Sequence, residues 1–186
     1  CDWWFTNEAV MLDTAGRYTT QESNEQVDKV EWEGFLGLLK RFRPQQPING
    51  VLLTVSVSDL LKMSAEDRHE QSLSFKRRLN ELRETLRIKF PVYVLVTKLD
   101  LLAGFNEYFA DMTKEDRSQV WGFTSAYDEK EKSMPDFKSW YRSEFQLLLT
   151  RIHHGLPKRL LDEHDLVKRA LMYSMPQQLA GLQDVL

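Results

Sequence analysis

The chain has a single cysteine, Cys1, in 186 residues, so no intrachain disulfide can form and the composition suits a reducing compartment. Long apolar runs are also missing. The longest, around Val51 to Val57, is strand-sized, broken by Thr and Ser, and far short of the roughly 20 residues that cross a bilayer. A charge excess of one sign is absent too: net charge is −3 with 28% charged residues, so no overall basic field attracts nucleic acid or anionic lipid. No signal peptide opens the sequence, which starts on Cys rather than Met; the expectation is a soluble, intracellular piece of something longer. There is no internal repeat and no low-complexity tract. Finally, no G-x-x-x-x-G-K-[ST] loop occurs, so no segment of this kind cradles phosphates.

What is present reads as one α/β domain with ample core, 42% hydrophobic and 11% aromatic. Trp3 to Thr6, a turn at Asn7-Glu8, and Ala9 to Leu12 predict a hairpin whose second strand ends at Asp13. Val27, Val30, Phe35, Leu38, Leu39 and Phe42 recur at helical steps and predict a helix over 26–43, closed by Pro44 and Pro47. "INGVLLTVSV" predicts a more buried strand. Ser64 caps a helix with a stripe of Phe75, Leu79, Leu82 and Leu86, ended by Pro91. "VYVLV" is a third strand and "VWGFTSA" (120–126) a fourth. Phe137, Tyr141, Phe145, Leu148 and Ile152 mark another helix, and helical spacing continues beyond Pro157 with an interruption at Pro176. Strands alternating with helices predict a mostly parallel sheet with an edge hairpin.

Ligands of such sheets gather beyond the carboxyl ends of the strands, and two of these strands end in polar motifs, "DTAG" and "TKLD". Asp13 can hold Mg²⁺ beside a nucleotide's phosphates, and Gly16 lets a backbone N–H approach the terminal phosphate. Asp and Gly also favour plain turns, so the motif alone is weak. Asp100 can accept two hydrogen bonds from guanine, with the Lys98 stem along the base. Thr97 stands where GTPases more often carry Asn. About 80 residues separate the motifs, the order and spacing of a Ras-like domain. Ser125 and Ala126 fall where such domains touch the base. Arg17 stands where Ras-like enzymes place the water-orienting Gln; it can donate to a phosphate but cannot accept a proton from water. The sum is a partial Ras-like P-loop NTPase fold lacking its phosphate loop: nucleotide-binding residues without a complete catalytic set.

Other candidates read as structure. His69, His153, His154 and His164 form no metal-ligand spacing with Cys1. "LDEHDL" (161–166) reads as charged helix surface. "FKRRLNELRETLRIK" interleaves acids with its bases, a solvated face rather than a nucleic-acid site. Trp3, Trp4 and Trp32 read as core or edge aromatics.

The run "CDWWFTNEAVMLDTAGRYTTQES" resembles the cytoplasmic GTPase-like segment of the IcmF/TssM family of bacterial type VI secretion, far more specifically than a bare D-x-x-G. "INGVLLTVSVSDLL", "RLNELRETLRIKFPVYVLVTKLDLLAGFNEYF" and "YSMPQQLAGL" extend the resemblance over nearly the whole chain. It implies an inner-membrane protein with this part on the cytoplasmic side, partnered by TssL, TssJ and baseplate subunits, self-associating at full length. It implies a scaffold, with GTP or ATP and Mg²⁺ as the cofactors of members whose upstream Walker A loop is intact. This chain by itself is expected to hold no cofactor, to be inactive as an NTPase, and to neither insert in the membrane nor bind nucleic acid. The expected division is a GTPase-like core over 1–155 and a helical extension over 156–186.

Overall fold

A computed structural model describes residues 2–14, 25–125 and 136–186. They form two compact units, Cys1–Val55 with Lys62–Leu95, and Ser56–Leu61 with Val96–Leu186.

The first unit opens with the expected hairpin. Strands β1 (Asp2–Phe5) and β2 (Val10–Asp13) pair antiparallel, Trp3 opposite Leu12 and Phe5 opposite Val10. Thr6 shapes the turn: its hydroxyl accepts from the Ala9 N–H at 2.9 Å and donates to the Ala9 carbonyl at 3.0 Å. Trp3 and Trp4 lie on this hairpin largely exposed, whereas Trp32 is core. Helix α1 (Glu25–Phe42) runs close to its expected span, but its phase differs from the predicted stripe. Trp32, Leu36 and Leu39 face inward, while Val30, Leu38 and Phe42 are exposed. The first set lies at i, i+4 and i+7, and it meets Leu82 and Leu86 of α3 (Ala65–Leu86).

Helix α3 begins as expected at Ser64, in a reciprocal capping box with Asp67. It stops four residues before Pro91, because Arg87 adopts the left-handed conformation (φ 56°) and ends the ladder. Strands β3 (Val51–Ser56) and β4 (Val92–Thr97) pair in parallel, and the Val51 N–H donates to the Pro91 carbonyl at 3.0 Å. β3 is half-buried on alternate residues instead of buried throughout, and β4 exposes Val92 to Leu95.

The second unit holds α2 (Val57–Leu60), a 3₁₀ turn (Leu99–Leu101), α4 (Phe105–Tyr108), α5 (Lys114–Arg117), α6 (Phe137–Asp162) and α7 (Leu166–Ala180). The short helices escaped prediction. α6 is continuous through positions 155 and 156. The fourth strand does not form over the described residues 120–125. Trp121 instead packs edge-on against Phe105 and Phe109, and Phe123 against Trp140 and Tyr141, so aromatic contacts win over strand pairing. "LDEHDL" is helix surface only in part: Leu161 and Asp162 end α6 exposed and Leu166 starts α7, while Glu163 to Asp165 form the turn between them, where the Asp165 carboxylate caps α7 through the Val167 N–H at 2.8 Å. Nor does Pro176 interrupt α7. Interior proline costs a helix about 3 kcal/mol. Here Met172, Met175, Pro176 and Leu179 are all buried, and that packing offsets the missing hydrogen bond.

Candidate functional site

The "TKLD" segment leaves the sheet at the end of β4. Thr97 is the last strand residue, and Lys98 adopts a left-handed conformation (φ 60°, ψ 30°) before the 3₁₀ turn. A non-glycine residue there is uncommon, and such backbones cluster at functional sites. The turn is held from within, since the Leu101 N–H donates to the Lys98 carbonyl at 3.1 Å and Leu102 is buried. Thr97, Lys98 and Asp100 stay exposed. The Asn106 amide donates to the Asp100 backbone carbonyl at 3.0 Å, which steadies Asp100 and leaves its carboxylate for other partners.

Residues that sequence reasoning passed over complete this strand end. Ser56 ends β3 and caps α2, its hydroxyl accepting from the Asp59 N–H. Asp59 meets Lys98, with 3.6 Å between Oδ2 and Nζ, and the same ammonium donates to Ser58 Oγ at 3.4 Å. The Asp59 carboxyl lies below its ordinary range, chiefly through its hydrogen bond with Ser56 and also through the Lys98 charge. "SVSD" (56–59) carries the signal: Ser56 followed three residues later by Asp59 at a strand end is a helix start.

A scaffold of close contacts stands behind "TKLD". Gly104 (φ 82°) lies so near α7 that a Cβ would sit 2.0 Å from the Leu171 carbonyl oxygen. Tyr108, 2% exposed, donates its hydroxyl to the Ile152 carbonyl at 2.7 Å. A Cβ at Gly155 would meet that hydroxyl at 2.6 Å, so glycine makes the approach possible. Arg159 lies 4.4 Å over the Tyr108 ring and donates from Nε to its carbonyl at 2.8 Å. Burial raises the Tyr108 phenol above its ordinary range, against the Arg159 charge.

Of the other expected site residues, Asp13 ends β2, exposed, with Asp2 directly opposite in the ladder. Two carboxylates are the hard-oxygen chemistry that Mg²⁺ takes. Among the described residues, however, no group of three or more His, Cys, Asp or Glu gathers to hold a metal ion. Ser125 is half-buried at the end of a described segment. Gly16, Arg17 and Ala126 lie outside the described residues. Lys98 and Asp100 thus stand exposed at the end of β4, and the chain carries no P-loop sequence. Among the described residues, no helix is long and apolar enough to cross a membrane.

The family model for the IcmF-related N-terminal domain matches residues 25–186. Type VI secretion system component TssM1 of Pseudomonas aeruginosa is 48% identical over all 186 residues, which is 100% of this chain and 17% of that protein. No solved structure matches.

Proposed function

The chain belongs to the IcmF/TssM family, and on that premise we propose that it is a scaffold domain of the type VI secretion membrane complex. It works on the cytoplasmic side of the inner membrane and docks that complex to the tail baseplate, in contact with TssL, TssJ and baseplate subunits. The observation that carries this is the 48% identity to TssM1 over the entire chain. The incomplete nucleotide set supports a scaffold over a motor: Lys98 and Asp100 suit a base, Arg17 does not suit water activation, and a phosphate loop is missing from this sequence. The fold we assign is Ras-like, and GTP or ATP with Mg²⁺ modulates it where the phosphate loop is supplied. Binding of the purified chain to the cytoplasmic part of TssL and to baseplate subunits tests the scaffold. Failure of a correctly folded chain to bind any of them overturns it.

A second reading, an active NTPase switch, draws on the left-handed Lys98 beside an exposed Asp100. Nucleotide affinity and turnover, measured in a protein extended upstream, decide it. Asp13→Ala and Asp100→Ala must then lower both; unchanged values sink the switch. The chain alone is expected to bind no nucleotide at submicromolar concentration.

A further inference from the structure

Six cations gather where α1 and α3 end. Lys40 and Arg41 stand in the last turn of α1 with Arg43 just beyond; Arg83 stands in the last turn of α3, with Arg87 and Lys89 beyond. The two helices run parallel. The Arg78 guanidinium lies 5.6 Å over the Trp32 ring, and further along both helices Lys40 Nζ donates to the Thr85 carbonyl at 3.1 Å. Their C-terminal ends therefore lie side by side. Within residues 40–50 and 83–91, Glu84 is the lone carboxylate, although the chain as a whole carries −3. Among the described residues, none of the six cations is in an ion pair.

The helix dipole draws cations to a last turn, which accounts for Lys40, Arg41 and Arg83. It fades beyond that turn and leaves Arg43, Arg87 and Lys89 unexplained. Arg87 also occupies a left-handed cap, where glycine is the usual residue. Phe42 stands 73% exposed among these charges, with the Arg41 guanidinium 5.7 Å from its ring. Arg83, Arg87 and Lys89 line a groove of about 360 Å³ with Asn80, Glu84 and Ile88.

We infer that this face docks on an anionic phospholipid surface, its cations over the phosphates and Phe42 at the headgroup level. A site for one small anion would converge its donors in an enclosed pocket. These charges are spread over two helix ends and the segments that follow, which matches a surface of distributed negative charge. An exposed aromatic ring among cations is the pairing that interfacial segments use. The inference is independent of the nucleotide reading of the strand ends.

Co-sedimentation of the chain tests it, with vesicles of phosphatidylcholine alone and with about one-third phosphatidylglycerol. Binding is expected only to the anionic vesicles, and it weakens with salt. Each cation near such a surface strengthens binding about fivefold, so Arg83→Glu with Arg87→Glu should lower partitioning at least ~25-fold. Lys138→Glu with Lys158→Glu, the same change of charge on α6, should leave most of the binding. Lys89→Glu repeats the test outside both helices if the double variant fails to fold. Equal binding to neutral vesicles, no binding to anionic ones, or equal losses in patch and control variants would overturn the inference. So would a patch that binds poly-glutamate while ignoring the vesicles, which points to an acidic protein partner.

Discussion

The two units spend their apolar residues differently. In the second, eleven buried hydrophobics among the described residues, from Val57 and Leu102 to Met175 and Leu182, form one cluster between short helices and the α6–α7 pair. Polar groups secure it, as when Tyr108 and Arg159 each donate to a backbone carbonyl. In the first unit the corresponding cluster has five members among the described residues, Trp32, Leu36, Leu39, Leu82 and Leu86. There Trp3, Trp4, Phe5 and the β4 residues Val92 to Leu95 remain 41–74% exposed. Parallel strands ordinarily have both faces covered. The second unit also exposes apolar side chains, such as Leu161, Leu166 and Tyr173, so the difference lies in the cores: the second gathers more buried side chains into one cluster, and the first leaves its strands open.

The sharpest way to break this contrast is at Gly104. Alanine there must tolerate φ 82° and a Cβ 2.0 Å from the Leu171 carbonyl oxygen. Left-handed backbone costs a side chain about 1–2 kcal/mol and overpacking about 1–3 more. Urea unfolding should show a loss near 3 kcal/mol; less than about 1 kcal/mol would mean that α7 is not tightly seated on this turn.

Next in size are truncations of one buried side chain in each unit. Met175→Ala, at a fully buried position, should cost about 2–5 kcal/mol. Leu39→Ala removes a side chain that is 7% exposed in a thinner cluster, and it should fall at the low end of that range. Leu38→Ala, at 55% exposure on the other face of the same helix, should stay within about 0.5 kcal/mol. Equal losses at Met175 and Leu39 would erase the difference between the cores.

How much of this is legible in the sequence depends on range. Local signals read well: Thr6 to Ala9 make a hairpin turn, and Ser64 with Asp67 starts a helix, because their hydrogen bonds span only a few residues. Phase reads poorly where apolar residues surround a helix. In α1 both {Val30, Leu38, Phe42} and {Trp32, Leu36, Leu39} are apolar, and only packing on Leu82 and Leu86 selects the second. "VWGFTS" has strand composition, yet its rings are claimed by Phe105, Phe109, Trp140 and Tyr141, which sequence periodicity does not register. At the candidate site, "TKLD" is legible as a strand end. Ser58, Asp59 and Gly104 are not, since their significance comes from contacts with Lys98 and Leu171, 39 to 67 residues away.

A smaller effect separates the units by pH. Burial, and then the Asp184 charge, push the Tyr141 phenol up to about 12. Its hydroxyl donates to the Gln183 carbonyl at 3.2 Å. The unfolded chain ionises this group near its ordinary value of about 10. The unfolded state thus binds fewer protons between the two values, and stability falls as pH rises from about 10 to about 12. Below that window the contribution is fully present. Tyr141→Phe should flatten the alkaline decline of the unfolding midpoint, after correction for its neutral-pH cost. A wild-type midpoint that is flat over this window would remove Tyr141 from the account.

The least costly change tests the strand-end contact itself. Asp59 and Lys98 are about half exposed, and exposed ion pairs are screened and weak, so Asp59→Asn should leave the unfolding midpoint where it is. Its consequence is local. Asp59 is held below its usual range first by Ser56, so the contact is intact at neutral pH and is lost as pH falls through the Asp59 carboxyl's lowered range. The Lys98 ε-methylene resonance should follow that titration in the wild type and be flat in Asp59→Asn. Ser56→Ala should move the titration toward the ordinary carboxyl range, because it removes the largest contribution. If the Lys98 resonance ignores both variants, the ammonium is not held at this turn. Lys98 would then be as free as any surface lysine, and the ordering of the second unit would stop short of its strand end.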